Sequence, residues 1–219
     1  MSIAKYKDKK FEFDEEFLDV NYLPEISHDD ARDLLFNLQN VFNEKKIKLY
    51  LAYGTLLGAI RDHDFIKGDL DLDVYIKDEK TFFNNLDYFK QQGFSLIRAR
   101  INNGYSFRYM GNTKCYVDVI ILGKIFGPFG IYCYRLGSHV IPKKYFENET
   151  EIEFLGRKFA CVSDPIKILE FWYGPTWNVP IGKSEKKYTY DDKYYYIYKT
   201  IKNTIKKPIR YIYRLVFRK

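Results

Sequence analysis

The sequence predicts an α+β fold in which a mixed β-sheet is flanked by helices. Hydrophobic residues make up 46% of the 219 positions, while Gly (13) and Pro (7) are sparse, as in one packed globular domain with an appendage. Apolar and polar side chains alternate strictly over residues 70–76, which is the period of a β-strand. Over residues 28–48, by contrast, apolar side chains recur at helical spacing. Both periods in one chain of this length indicate a mixed fold.

The individual elements follow from the same two periods. The first helix starts with Asp29 and Asp30, whose negative charge favours a helix N-terminus. The predicted elements, in chain order, are a helix at 28–48, a short buried strand at 49–53, a turn at 54–55, a helix at 56–61, a strand at 70–76, a helix at 79–92, strands at 94–100, 105–110 and 115–122, and a helix at 165–173.

Charge is distributed unevenly along the chain. The net charge is +7, but residues 183–219 hold 12 of the 36 basic residues and only 3 of the 29 acidic ones. The rest of the chain is slightly acidic, so it is not a basic nucleic-acid platform and we expect no nucleic-acid partner. Charge therefore separates a basic C-terminal segment (183–219) from the rest of the chain, which we divide into an N-terminal extension (1–27) and a domain at 28–182.

The cysteines and the lack of long apolar segments indicate a reducing compartment. Cys115, Cys133 and Cys161 are odd in number and form no C-x-x-C pair, which argues against a disulfide framework and a structural zinc site. The sequence shows neither a signal-peptide core nor a run of about 18 apolar residues. We expect a cytoplasmic protein, compatible with a peripheral position on the inner face of the cytoplasmic membrane.

Three carboxylates alternate with apolar residues in Gly-Asp-Leu-Asp-Leu-Asp-Val (68–74). The strand period sends Asp69, Asp71 and Asp73 to one face, where neighbours are about 6.5–7 Å apart. Like charges at this spacing raise one another's pKa values unless a cation lies between them. Mg²⁺ would meet this need, because it accepts one or two carboxylates and completes its shell with water and substrate phosphate. The alternative is a solvated strand face with acidic decoration.

Upstream of the carboxylates, Tyr-Gly-Thr-Leu-Leu-Gly (53–58) marks a strand that ends at a glycine where a helix begins. Backbone N–H groups at a helix start can hold a phosphate, with Gly54 allowing close approach and Thr55 adding a hydroxyl donor. Arg61 offers a forked, permanently charged donor suited to phosphate. This order of parts fits a nucleoside diphosphate clamped on a metal. Taken alone, the glycine segment is also compatible with an ordinary strand-to-helix turn.

A single acid interrupts the otherwise apolar strand predicted at 115–122. Acidic side chains are rarely placed in a core strand without a partner, because burying an unpaired charge is costly. Asp118 therefore either joins the carboxylate cluster or pairs with a Lys or Arg from elsewhere in the chain.

Together these motifs resemble the signature of the LicD/fukutin family of nucleotidyltransferase-fold enzymes. The matching segments are 52–61 (AYGTLLGAIR), 65–66 (FI), 69–73 (DLDLD), 117–119 (VDV), the helix from Pro165, and 173–177 (YGPTW). The resemblance covers roughly residues 30–180 and implies a nucleotidyltransferase-like catalytic domain. Two departures are Lys67-Gly68, where family members commonly have Pro-Trp, and Asp62, where they commonly have His.

The resemblance implies transfer of a phosphocholine-like or polyol-phosphate group from a CDP-linked donor to a glycan hydroxyl, with release of CMP. Such an enzyme would modify cell-surface polysaccharide or glycolipid, such as capsule or lipopolysaccharide, and its acceptor could be lipid-linked. The implied site residues are Asp71 and Asp73 for Mg²⁺ or Mn²⁺, Gly54 and Thr55 for the donor phosphates, and Asp118, which completes the site, with Arg61 as the further phosphate-binding candidate.

Other functions remain open from the sequence. A related nucleotidyltransferase would move NMP from an NTP to a small acceptor and release pyrophosphate. A non-enzymatic membrane or nucleic-acid adaptor would act through the basic C-terminal segment, which leaves the acidic face unexplained. A glycosyltransferase with an Asp-x-Asp motif is disfavoured, because the Gly-Thr-Leu-Leu-Gly segment has no place there.

The basic C-terminal segment has the pattern of an amphipathic helix. Six β-branched residues fall within an arc of about 120° at helical spacing, with basic residues on the remaining surface and Pro208 as a kink. They are Ile197, Ile201, Ile205, Ile209, Ile212 and Val216. Residues 190–219 are therefore expected to bind an anionic membrane surface. The alternative is a last core helix packed on the body.

Overall fold

The computed structural model describes most of residues 27–180 and two short segments that precede them. The described residues are 2–6, 9–13, 27–100, 106–110, 115–127, 130–136 and 139–180. The basic C-terminal segment, with its predicted amphipathic helix, lies outside these residues. None of the described helices is long and apolar enough to cross a membrane.

Strands outnumber helices among the described residues. In chain order the elements are β1 (Ser2–Tyr6), β2 (Lys9–Phe13), α1 (His28–Glu44), β3 (Tyr50–Leu51), α2 (Tyr53–Arg61), β4 (Leu72–Ile76), α3 (Glu79–Asn84), α4 (Leu86–Gln91), β5 (Ser95–Arg100), β6 (Ser106–Met110), β7 (Tyr116–Ile121), β8 (Gly123–Gly127), β9 (Gly130–Leu136), β10 (His139–Pro142), a 3₁₀ turn (Lys143–Tyr145), β11 (Glu149–Phe154), β12 (Arg157–Val162) and α5 (Pro165–Tyr173).

The main sheet has, among the described residues, seven strands in the order β11-β12-β3-β4-β7-β6-β5. The pairs β12/β3 and β4/β7 are parallel, whereas the other neighbours in this sheet are antiparallel. The helices α1, α2 and α5 pack against strands of this sheet. The predicted α+β fold, a mixed sheet flanked by helices, is therefore confirmed.

The helix α1 has the apolar face that its spacing predicts. Ser27 caps its N-terminus, because its side-chain oxygen accepts a hydrogen bond from the Asp30 N–H at 3.2 Å. The buried residues of this helix are Ala31, Leu34, Leu35, Leu38, Val41 and Phe42. This face closes the core on one side of the sheet.

Several predicted boundaries differ from the structure: α1 ends at Glu44, β3 is limited to Tyr50–Leu51, and three further differences concern the elements that follow. The helix α2 begins at Tyr53, so Gly54 and Thr55 lie in its first turn instead of in a turn before it. The strand β4 begins at Leu72, so the first two carboxylates of the acidic run precede the strand. The helix predicted at 79–92 is divided at Asn85, whose side-chain amide donates to the Thr81 carbonyl at 2.8 Å and ends α3.

Three groups of strands were not predicted individually. The first is the hairpin β1–β2, which precedes the first predicted helix. The strands β8, β9 and β10 form a separate antiparallel sheet, here called the accessory sheet, which follows β7 in the chain. The hairpin β11–β12 extends the main sheet beyond β3. Nearby, α5 starts behind Asp164, whose carboxylate caps the Lys167 N–H, and packs on α2. The accessory sheet and α5 thus both lie downstream in sequence but meet the α2 region in space.

Candidate active site

Two acidic side chains stand side by side at the centre of the main sheet. Because β4 and β7 are parallel neighbours, Asp73 pairs in register with Asp118. Neighbouring strands lie about 4.8 Å apart, and paired residues project to the same face. Val74 and Val119, which follow them, are fully buried on the opposite face. The alternation that buries the valines thus presents both carboxylates together on the other side.

Two further carboxylates surround Asp73. Burial, and then the negative charges of Asp71, Asp118 and Asp69, raise the pKa of Asp73 well above its usual range. A backbone N–H from Gly54 partly opposes this rise. The structure therefore gathers four carboxylates around one position, and a bound cation would relieve their repulsion.

Gly54 lies directly against these carboxylates. Its N–H donates a hydrogen bond to Asp73 Oδ2 at 3.2 Å. A Cβ atom at this position would lie 2.8 Å from Asp69 Oδ2 and 3.5 Å from Asp73 Oδ2. A side chain here would push the Asp69 carboxylate away from the start of α2, whereas the distance to Asp73 is an ordinary van der Waals contact.

Thr55 is buried and links α2 to β4. Its side-chain oxygen accepts a hydrogen bond from the Asp73 N–H at 2.8 Å, and the residue is only 3% exposed. The Ala52 N–H donates to the Asp73 carbonyl at 3.1 Å. The sequence suggested a phosphate donor at Thr55, whereas the structure gives its hydroxyl oxygen a contact that fixes the backbone of Asp73.

Arg61 lies at the opposite end of α2 from Gly54, about 10 Å away along the helix at a rise of 1.5 Å per residue. Its guanidinium forms a two-pronged ion pair with Asp62, with Nε–Oδ1 and Nη2–Oδ2 distances of 2.7 Å. This hydrogen bonding raises the pKa of Arg61. Of the predicted site residues, the structure brings together Asp71, Asp73, Asp118, Gly54 and Thr55, and places Arg61 apart from them.

Two residues near the site were not predicted. Tyr53, the residue before Gly54, has a positive φ of 36° and donates its hydroxyl proton to the Leu136 carbonyl at 3.0 Å. His139 Nδ1 lies 2.7 Å from the same hydroxyl oxygen. The only signal in the sequence was the position of Tyr53 within the glycine motif, since His139 comes from the distant accessory sheet.

The donor chemistry of the site fits a hard divalent cation. Carboxylate oxygens are the ligands that Mg²⁺ prefers, and in addition to burial the negative charges of three neighbouring acids act on Asp73. In the described part of the chain, no three His, Cys, Asp or Glu side chains are already arranged as a metal site. A cation here would thus need oxygen ligands from a substrate in addition to one or two of the carboxylates.

The architecture and the acidic strands define a nucleotidyltransferase-like domain, and the sequence agrees. Residues 46–162 match the family described as LicD/FKTN/FKRP, nucleotidyltransferase domain. The matched range includes α2, the acidic run and Asp118. The chain belongs to the LicD/FKTN/FKRP family, as its motifs indicated.

Two curated relatives are similar over most of the chain. The uncharacterized protein RP689 of Rickettsia prowazekii (strain Madrid E) is 28% identical over 167 residues, which are 75% of this chain and 56% of the relative. The uncharacterized protein RT0683 of Rickettsia typhi (strain ATCC VR-144 / Wilmington) is 31% identical over 171 residues, 75% of this chain and 47% of the relative. The chain thus spans about half the length of these relatives.

Two antibiotic-modifying enzymes of known structure are similar at a low level. The lincosamide antibiotic adenylyltransferase LnuA, bound to lincomycin, has a TM-score of 0.45 and 13% identity, covering 67% of this chain and 86% of its own. ANT(2")-Ia in complex with adenylyl-2"-tobramycin has a TM-score of 0.46 and 15% identity, and the match covers 85% of this chain and 95% of ANT(2")-Ia. At these values the similarity carries no information about the substrate of this chain.

Proposed function

We propose that the chain transfers a phospho-alcohol group from a CDP-linked donor to a glycan hydroxyl and releases CMP, in the modification of cell-surface polysaccharide or glycolipid. One observation supports this most directly: Asp73 and Asp118 stand in register on parallel strands, with the start of α2 against Asp73. Carboxylates gathered around one position could bind a divalent cation, and such a cation would hold a diphosphate and neutralise its charge. Membership in the LicD/FKTN/FKRP family supports a group-transfer reaction of this kind.

In this proposal Asp71 and Asp73 hold Mg²⁺ or Mn²⁺ together with the donor diphosphate. The cation would neutralise the charge that develops on the phosphate oxygens. Gly54 acts on the donor through the carboxylates: its missing Cβ atom lets the Asp69 carboxylate come close to the start of α2, and its N–H holds Asp73. Thr55 acts on the donor through the backbone of Asp73. Arg61 would have to break its ion pair with Asp62 to contact the donor, so we expect it to contribute less to donor binding than the carboxylates do.

The chemical step is a displacement at phosphorus. The acceptor hydroxyl oxygen forms a bond to the phosphorus of the phospho-alcohol, and the bond from this phosphorus to the oxygen of CMP breaks. The hydroxyl proton must leave during the attack. Asp118 is the proposed acceptor for it, since Asp118 lies beside Asp73 on the next strand. The products are the phosphodiester of the glycan and CMP.

The proposal is tested by the leaving group that wild-type protein releases. CDP-choline, CDP-ribitol and CDP-glycerol are each incubated with glycan acceptors and Mg²⁺, and CMP is quantified by chromatography. The same assay with the four NTPs and small acceptors measures pyrophosphate. CMP release with one CDP donor is expected. Pyrophosphate release from an NTP, without CMP from any CDP donor, would instead assign the chain to NMP transfer, and release of neither would favour an adaptor.

A further part of the proposal concerns the location of the protein in the cell. A lipid-linked glycan assembled at the inner face of the cytoplasmic membrane would be a suitable acceptor. The basic C-terminal segment has the composition to bind the anionic lipid of that face through residues 190–219. A cytoplasmic enzyme would in this way be held beside its acceptor.

A further inference from the structure

Tyr53 occupies an unusual backbone position next to the carboxylates. Its φ is 36°, in the left-handed region that residues with a side chain seldom adopt. Such a conformation persists where surrounding contacts hold it in place. Tyr53 is the first residue of α2, and the N–H that follows it belongs to Gly54. The backbone of Tyr53 therefore sets the direction in which the Gly54 N–H points, toward Asp73 Oδ2 at 3.2 Å.

The side chain of Tyr53 is held from three directions. Its hydroxyl donates to the Leu136 carbonyl at 3.0 Å, at the end of β9. Because that contact uses the hydroxyl proton, the contact with His139 Nδ1 at 2.7 Å requires that Nδ1 carry a proton and donate it. The Tyr53 ring also packs on the buried Trp172 of α5, with ring centroids 4.4 Å apart.

The protonation of His139 agrees with this arrangement. Burial lowers the pKa of His139 to about 4, so its ring is neutral near pH 7. A neutral ring has one N–H, and the contact with Tyr53 places it on Nδ1. The accessory sheet is thereby tied to the first turn of α2 by two hydrogen bonds to one hydroxyl group.

We propose that Tyr53, held by His139 and the Leu136 carbonyl, is a positioning residue that aims the Gly54 N–H at the Asp73 carboxylate. The inference rests on the proposed function where it concerns turnover. Without the hydroxyl contacts the Tyr53 backbone can relax to a negative φ, and the Gly54 N–H turns away from Asp73. A misplacement of about 1 Å in a catalytic group can lower turnover by about 100-fold.

The test compares variants that remove or keep these contacts. Tyr53→Phe keeps the ring on Trp172 but loses both hydrogen bonds, and His139→Ala loses one of them. His139→Asn can restore an N–H donor near the position of Nδ1. Tyr88→Phe is the matched control, because it removes a hydroxyl that bonds Glu44 on the surface. Amide NMR spectra, melting temperature, kcat and KM are measured for each.

We expect Tyr53→Phe and His139→Ala to shift the Gly54 amide resonance and to lower kcat by about 10- to 100-fold, with a smaller change in KM. His139→Asn should recover most of this loss, and Tyr88→Phe should leave the Gly54 resonance and kcat unchanged. The NMR measurement needs neither donor nor metal. If wild-type protein used no CDP donor, the proposed function would fail while a shifted Gly54 resonance still supported the positioning of Asp73. An unchanged Gly54 resonance in Tyr53→Phe, or an unchanged kcat despite a shift, would overturn the inference.

Discussion

At the scale of single residues, Asp73 is held by its backbone as well as by its charge. Its N–H donates to Thr55 Oγ1, its carbonyl accepts from the Ala52 N–H, and its carboxylate accepts from the Gly54 N–H. All three contacts come from α2 or the residue before it. The carboxylate whose pKa burial and neighbouring charges raise well above its usual range is therefore also one whose position α2 fixes.

Removing one metal-binding charge should abolish most activity without unfolding the protein. Asp71→Asn and Asp73→Asn each keep the size of the side chain and relieve repulsion within the carboxylate cluster, so the melting temperature should not fall. CMP release should drop by about 100-fold or more, because a single amide cannot replace a carboxylate on Mg²⁺ or Mn²⁺. Wild-type activity should also be lost in EDTA and recovered with Mg²⁺. Full activity in EDTA, or in both variants, would exclude the metal assignment.

Thr55 should act mainly through Asp73. Thr55→Val removes the acceptor for the buried Asp73 N–H and should destabilise the protein by about 1–3 kcal/mol, the usual cost of an unsatisfied buried donor. Thr55→Ser keeps the oxygen and is the matched control. In the Val variant, the free energy of unfolding measured with urea and the kcat should both decrease. A Val variant with normal stability but weak donor binding would instead support a direct contact between the hydroxyl and the phosphate.

Asp118 should matter more for the chemical step than for donor binding. Asp118→Asn cannot accept a proton, and loss of a general base typically lowers kcat by about 100-fold or more, with the KM for the donor little changed. Single-turnover kinetics with saturating donor separate these quantities. A large loss of melting temperature together with loss of donor binding would identify Asp118 as part of a structural charge pair.

At the scale of elements, the two ends of the central strands have opposite electrostatic character. The carboxylate cluster lies at the start of β4, whereas Lys77 follows its last residue. There Lys77 and Lys48 both bind the Glu149 carboxylate, and the Tyr50 hydroxyl donates to it at 2.6 Å. These contacts join the ends of β3, β4 and β11 through one acid. Their role is to hold the strands in place, away from the chemistry.

The Glu149 contacts make stability depend on pH. Although burial alone would raise it, hydrogen bonds from Lys48, Lys77 and Tyr50 lower the pKa of Glu149 to about 2. A carboxyl group with a lowered pKa in the folded state stabilises the protein above its unfolded pKa, and this contribution is lost as pH falls through the folded value. The contribution of Glu149 to stability is therefore lost in a pH window from about 4.5 down to about 2.

Glu149→Gln tests this window. The variant should be less stable by about 1 kcal/mol at pH 7, after allowance for solvent screening of a partly exposed group. The difference in unfolding free energy between wild type and variant should shrink as pH falls through the window. Urea unfolding at several pH values measures it. A difference that stays constant down to the lower end of the window would show that the carboxylate charge contributes nothing.

The periodic spacing of apolar residues within single elements explains which elements could be predicted from the sequence. The face of α1 and the strand β4 follow from residues within one element, so their periods are visible in the chain. The start of α2 was misplaced because a Gly-Thr pair is typical of a turn, and nothing local shows that Thr55 pairs with β4. The contact of Tyr53 with His139 joins residues 86 positions apart, and no local pattern sets such a register.

The same limit applies to the candidate site. The sequence pointed to Asp118 because acids in apolar strands are unusual, and to Asp71 and Asp73 because of the alternation in the acidic run; all three match the family motif. Asp73 and Asp118 lie side by side because β4 pairs with β7 in parallel. The family motif is compatible with this pairing, but the spacing of residues within either strand does not determine it. The pairing of Arg61 with Asp62 could not be predicted, because adjacent residues on a helix end seldom face each other.

At the scale of the whole molecule, charge separates the catalytic body from the basic C-terminal segment. The site gathers negative charge, while 12 of the 36 basic residues lie in 183–219 with only three acids. In the proposed function a cation held by the carboxylates binds the diphosphate, so the basic C-terminal segment is not needed for that contact. It is suited to a second, separate task such as attachment to anionic lipid.

Membrane attachment should depend on where positive charge lies and not on how much there is. Changing Lys199, Lys202 and Lys206 to Glu reverses three charges in the basic C-terminal segment, each worth on the order of 1 kcal/mol at an anionic surface. Changing the exposed body residues Lys80, Lys90 and Lys158 to Glu gives the same net charge and is the matched control. In flotation with liposomes containing anionic lipid, the segment variant should stay with the soluble fraction while the body variant floats as wild type does. High salt should release both wild type and the body variant, because the attraction is screened. Equal flotation of the two variants would favour the alternative that the β-branched residues of the segment pack on the body as a last core helix.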